Sequence, residues 1–154
     1  MLTVSDGVAA GQREDESGAV LAERAAALGF DVVERRVVAD ERDRISEALW
    51  ELTDQADLVL TTGGTGFAPR DVTPEATAEL VERPTPGLDE AIREVSRRAS
   101  PHGLLSRGAS GIVGRTLVIN FPGSPRACRD CFDAVAPALV HGLELLTGEE
   151  TEHP

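Results

Sequence analysis

The chain has 154 residues and carries 27 acidic side chains against 15 basic ones, a formal net charge of -12 at pH 7. That field repels phosphate backbones and sets nucleic acid aside as a partner. Every basic residue is arginine, so mechanisms that need a lysine, such as a P-loop lysine, a Schiff base or a lysyl-adenylate, are excluded.

Hydrophobic residues make up 41% of the sequence, which suits one folded domain over residues 1–148 followed by a short tail, 149–154. No apolar run approaches the roughly 20 residues of a membrane span, and no basic-then-apolar leader precedes the first strand. A reduced, cytoplasmic protein with no membrane partner is expected.

In chain order, Leu2 to Ser5 reads as a short buried strand and Asp6 to Ser17 as a polar loop. Val20, Leu21, Ala25 and Leu28 share one helical face, and Gly29 closes that helix as a left-handed terminal residue. Phe30 to Val38 reads as a strand. Ile45, Leu49 and Leu52 stripe a second helix that ends near Ala56. Asp57 to Thr62 is a near-continuous β-prone run, the pattern of a strand buried on both faces.

Thr73-Pro74-Glu75 starts a third helix, with Thr73 expected at the N-cap and proline at the first helical position. A further helix spans roughly Leu88 to Ala99, and the glycine-rich stretch Ser106 to Gly114 follows it. Thr116 to Asn120 is one more strand. A last long helix reaches about Leu146, with Pro137 expected to kink or divide it. Alternating strands and helices predict an α/β fold, a mostly parallel sheet with helices on both faces.

In such sheets ligands bind beyond the carboxyl ends of the strands, and the informative motifs fall there. Thr61 to Gly66 (TTGGTG) offers backbone amides without side-chain bulk, either as a phosphate cradle or as a tight turn. Asp40 and Asp71 lie close to it. Two acids aimed at phosphates make sense through Mg²⁺, although Asp40 alone fits a helix N-cap and Asp71 an Asx turn.

Ser106, Arg107, Ser110 and Gly111 suit a second anion such as a phosphomonoester, or simply a flexible loop. Asn120-Phe121-Pro122-Gly123 forms another strand-to-helix turn that could hold a heterocycle or phosphate. Cys128 and Cys131 form a lone C-x-x-C, spaced to lie on the buried stripe of the last helix. Packing is their expected role.

T-V-S-D from Thr3, TTGGTG from Thr61, P-R-D-V-T-P-E-A-T from Pro69, P-G at Pro86, L-S-R from Leu105 and N-F-P-G from Asn120 together resemble the MogA/MoaB family, to which the gephyrin and plant Cnx G domains belong. The resemblance runs through nearly the whole chain in order, and the pairing of TTGGTG with R-D-V-T-P is specific. It implies a three-layer αβα sandwich, usually a homotrimer, that uses Mg²⁺ and ATP to adenylylate molybdopterin for a downstream molybdenum-insertion protein.

By motif, Asp40 and Asp71 would be the catalytic and metal-handling acids. Ser5, Asp6, Gly63, Gly64, Thr65, Gly66, Asn120, Pro122 and Gly123 would line the nucleotide and pterin cleft, and Ser106, Arg107, Ser110 and Gly111 would hold the molybdopterin phosphate. Ala39 stands where the family often has proline, and Gly108 and Arg115 where it commonly has serine. Two other readings of the same scaffold are a molybdopterin-binding protein without turnover and a metal-dependent nucleotide phosphoanhydride hydrolase of the CinA-like kind.

Overall fold

The computed structural model describes residues 1–149; the expected tail beyond Glu149 lies outside the described residues. At the centre stands β3 (Leu58–Thr62), whose last four residues are buried, as a strand covered on both faces must be. It pairs in parallel with β1 (Leu2–Val4) on one side and β6 (Thr116–Phe121) on the other, and β1 pairs onward in parallel with β2 (Arg36–Val38). β5 (Ser110–Val113) is antiparallel to both its neighbours, β6 and β4 (Arg83–Pro84), so the sheet order is β2-β1-β3-β6-β5-β4.

Helices α2 (Glu16–Ala27), α5 (Pro86–Ala99) and α6 (Pro125–Thr147) cover one face, where Leu21, Ile92 and Phe132 join Leu60, Leu117 and Ile119 in one core. Helices α3 (Arg42–Thr53) and α4 (Thr73–Leu80) cover the other, where Ile45, Leu49 and Ala76 join Leu2, Val59 and Val118. β6 shows why both faces need cover. Leu117, Ile119 and Phe121 belong to the first core and Val118 to the second, the two-residue period of a strand. Each such side chain removed from water contributes about 1.5–3 kcal/mol.

Gly29, at φ +99°, follows the end of α2 as expected. At its start Asp15 accepts from Gly18 N at 3.0 Å and from Thr3 Oγ1 at 2.9 Å, which fastens the helix to β1. Cys128 and Cys131 are buried free thiols on α6. Cys128 Sγ lies 3.0 Å from Pro122 O and 3.3 Å from Thr62 Oγ1, and burial pushes its pKa up to about 12.

Several expectations are corrected. The strand expected over Phe30–Val38 shrinks to Arg36–Val38, because the register pairs Arg36 with Leu2 and leaves the residues before it without a neighbouring strand. α3 stops at Thr53 rather than near Ala56. The loop expected from Asp6 contains a short helix, α1 (Asp6–Ala9), and part of the glycine-rich stretch is β5. Thr73 is not the N-cap of α4. Val72 holds that place, and Thr73 Oγ1 donates instead to Gly63 O at 2.9 Å. Pro137 does not divide α6, which runs on as one helix. Among the described residues, no helix is long and apolar enough to cross a membrane.

Candidate active site

Strand order reverses direction at β1, with β2 on one side and β3 on the other, and a crevice opens at the carboxyl ends of such a pair. The turn after β3 fits there only as glycine. Gly63 has φ +93°, and a Cβ on it would lie 2.2 Å from Val4 O. Gly64 has φ +68°, and a Cβ on it would meet Thr73 Oγ1 at 2.3 Å and Asp40 Oδ1 at 3.3 Å. The main chain of β3 is thereby drawn against β1, α4 and the acid that follows β2.

Asp40 and Asp6 lock their loops together reciprocally. Asp6 N donates to Asp40 Oδ2 at 2.8 Å, and Asp40 N donates to Asp6 Oδ1 at 3.0 Å. Asp40 is therefore not the cap of α3; Glu41 stands at that position. Burial raises the Asp40 pKa, and the charges of Asp6 and Asp71 add to that. Arg70 holds Asp6 from the other side through Nε at 2.6 Å and Nη2 at 2.9 Å, which lowers the Asp6 pKa.

Asp71 does not form the expected Asx turn, because Thr73 N donates to Gly64 O at 3.1 Å; its Oδ2 accepts instead from Ala68 N, three residues back, at 3.0 Å. That oxygen also lies 2.8 Å from where a Cβ on Gly66 would sit. Each acid thus gives one oxygen to a main-chain amide and packs its carboxylate against a glycine of TTGGTG. No group of three or more His, Cys, Asp or Glu forms a metal cage among the described residues.

Two clefts meet at this point. The first, about 630 Å³, is lined by Ser5, Arg13, Asp40, Gly63 and Glu16 among others; the second, about 590 Å³, by Thr65, Gly66, His102, Ser106 and Pro122 among others. Gly64, Asp71 and Gly123 line both and form the ridge between them.

The remaining expected residues are not brought to either cleft. Asn120 is 1% exposed, donates to Thr61 Oγ1 and Thr77 Oγ1 at 3.0 Å each, and accepts from Ala109 N at 3.1 Å. Its amide joins β3, α4 and the residue that precedes β5. Ser110 is buried in β5 with its hydroxyl donating to Asp89, and a Cβ on Gly111 would strike Val81 at 2.2 Å.

Arg107 is a brace. Its N donates to Thr65 O at 2.8 Å, Nε to Gly66 O at 2.8 Å and Nη2 to Asp71 O at 2.7 Å, while Nη1 pairs with Glu75 and lowers the Glu75 pKa. Arg115 donates to Thr147 O at the other end of the sheet. His102 and Arg13 carry no signal in the sequence, Arg13 standing beside the acidic run Glu14-Asp15-Glu16 in a polar loop, and only the fold brings them to the clefts.

A family model described as probable molybdopterin binding domain matches residues 1–141. The chain is 41% identical over 152 residues to the molybdopterin adenylyltransferase of Helicobacter pylori, covering 96% of this chain and 86% of that protein. Its structure matches that of the molybdopterin biosynthesis enzyme MoaB of Thermus thermophilus with a TM-score of 0.90 at 46% identity, covering 98% of this chain and 96% of that one. CinA of Thermoplasma acidophilum shares the fold at a TM-score of 0.69 and 23% identity, over 88% of this chain and 94% of that one. Matched over nearly its whole length in sequence and in fold, the chain belongs to the molybdopterin-binding-domain family that includes MogA and MoaB.

Proposed function

We propose that the protein transfers AMP from ATP to the terminal phosphate of molybdopterin and releases pyrophosphate. The observation that carries this reading is the ridge of Gly64, Asp71 and Gly123, common to two clefts of similar volume. One cleft is proposed to take the nucleotide and the other the pterin, so that their reacting phosphates meet over Asp71. The activity named for the Helicobacter pylori relative supports the same chemistry.

A phosphate oxygen of molybdopterin attacks the α-phosphorus of ATP in line. The new P–O bond forms as the bond to the oxygen bridging to the β-phosphorus breaks, and pyrophosphate leaves with that electron pair. No residue has to remove a proton, because a phosphate monoester is largely a dianion above its second pKa near 6. Backbone amides of Gly64 to Gly66 and of Gly123 would serve the anionic oxygens, the Gly63 amide being given to Phe121 O at 3.3 Å, and Ser106 would serve the pterin phosphate.

Asp40 and Asp71 would hold Mg²⁺. One or two carboxylates plus substrate phosphates are what that ion ordinarily takes, which fits a site lacking a complete protein cage. Bound there, it supplies positive charge that offsets the polyphosphate in an acidic protein.

A homotrimer, a cytoplasmic location and delivery of the product to a molybdenum-insertion protein complete the proposal. An apolar groove of about 500 Å³ between α5, α6 and β5, lined by Leu88, Ala138 and Leu146 among others, supports self-association. Light scattering at three times the chain mass is expected, and a monomer would remove the trimer.

The deciding assay is pyrophosphate release from Mg-ATP with and without molybdopterin. Release only with the pterin supports transfer. Pterin retained without pyrophosphate makes the protein a binder, and nucleotide turnover without the pterin makes it a hydrolase.

A further inference from the structure

The first cleft is an acidic place to seat a polyphosphate. Glu14, Glu16, Asp40 and Asp71 all line it, and among its lining residues Arg13 is the single cation. Of the described residues, none forms an ion pair with Arg13, although arginines elsewhere, such as Arg35, Arg36 and Arg70, are held by carboxylates. Its Nη2 instead donates to Ser5 Oγ at 2.9 Å, at the carboxyl end of β1 beside the glycine turn.

Gly7 gives the second observation. It lies in α1 with no positive φ, so its backbone would accept another residue. What occupies the space of a side chain there is the Arg13 guanidinium: a Cβ on Gly7 would lie 2.7 Å from Arg13 Nε and 3.2 Å from Nη2. The glycine is explained by the arginine it seats. A guanidinium beside a serine hydroxyl, without a carboxylate partner, is a ready donor fork for phosphate oxygens.

We infer that Arg13, seated by Gly7 and Ser5, binds the β- and γ-phosphates of the nucleotide in the first cleft. This rests on the proposed use of ATP and adds the residue that recognises its polyphosphate tail. It also distinguishes the triphosphate from AMP, which lacks those two phosphates.

Calorimetric titration with Mg-ATP and with AMP tests it in the wild type, Arg13→Ala, Arg13→Lys and Gly7→Ala. Arg13→Ala should weaken Mg-ATP binding about tenfold to a hundredfold, the range for losing a charge-assisted hydrogen bond. AMP affinity and the KM for molybdopterin should each stay within about twofold. Arg13→Lys should recover part of the loss.

Gly7→Ala should weaken Mg-ATP binding several-fold by displacing the guanidinium, with Tm held or raised, because alanine is the better helix former by about 1 kcal/mol. Unchanged Mg-ATP affinity in Arg13→Ala, or equal losses for AMP and Mg-ATP, would overturn the inference and leave the proposed reaction standing. A wild-type protein that binds no Mg-ATP would remove both.

Discussion

Two stretches, Thr61–Gly66 and Ser106–Gly111, share a composition of glycine and small hydroxyl residues, yet the fold uses them in opposite ways. The first leaves the carboxyl end of a parallel strand with two glycines at positive φ and lines both clefts. The second keeps only Ser106 in a cleft, turns Arg107 back to brace the first loop, and enters an antiparallel strand at Ser110. Small residues therefore do not by themselves make a ligand loop. Position relative to the sheet decides, because parallel strands end where amides point into a crevice, whereas an antiparallel strand engages its amides in the ladder.

The contrast is sharpest at Gly63. Gly63→Ala places a side chain at φ +93° and against Val4 O, and should cost about 3 kcal/mol, read as a Tm fall of roughly 6–12 °C. A stable Gly63→Ala protein would show that the loop's close approach to β1 is dispensable.

Asp71→Asn should leave Tm nearly unchanged and lower turnover about a hundredfold, a loss of about 2.7 kcal/mol in the barrier. Near-normal pyrophosphate release from this variant would sink the assigned role of the acid. Asp40→Asn should behave similarly in activity but with a different stability profile. Because burial raises the Asp40 pKa, its ionisation opposes folding as pH rises through that value. The asparagine variant should therefore hold or gain stability at neutral pH relative to wild type.

Arg107→Ala should cost about 2 kcal/mol of stability, since it strips the partners from two loop carbonyls and from Glu75, whose Oε2 already lacks a hydrogen bond. Turnover falls with it through the displaced Asp71 loop. If instead only the molybdopterin KM rises and Tm holds, Arg107 is a ligand and not a brace.

Ser110→Ala is the smallest effect, about 1 kcal/mol, with the molybdopterin KM unchanged. Burial raises the Asp89 pKa, and the Ser110 hydroxyl works against that rise. Removing the hydroxyl raises it further, so the deficit should be fully present at neutral pH and fade as pH falls toward the ordinary aspartate value near 4. Denaturant melts at pH 4 and pH 7 read it directly.

Much of this was legible beforehand, and what was not has physical causes. β3 declared itself because Leu58 to Thr62 is an unbroken run of β-prone residues without charge, the pattern of a strand covered on both faces, and Gly29 because a helix end at positive φ favours glycine. β5 did not, because Ser110 and Gly111 carry no β-branched pattern and owe their place to β6 and to Asp89. Val32 and Val33 suggested strand, but propensity cannot supply a pairing partner, and β1 offers none in that register.

At the site, the acids and glycines stood in readable motifs, while the burial of Asn120 depends on Thr61 and Thr77. Those residues are remote in sequence and become neighbours only in the folded sheet.

The thiols beneath the clefts offer a practical consequence. Cys128 is sealed against Thr62 and Pro122, where the turns after β3 and β6 begin, and almost no thiolate exists there at neutral pH. A reagent such as iodoacetamide can alkylate it only after α6 lifts from the sheet. The alkylation rate therefore clocks that opening, and a bound nucleotide that tightens the turns should slow the clock.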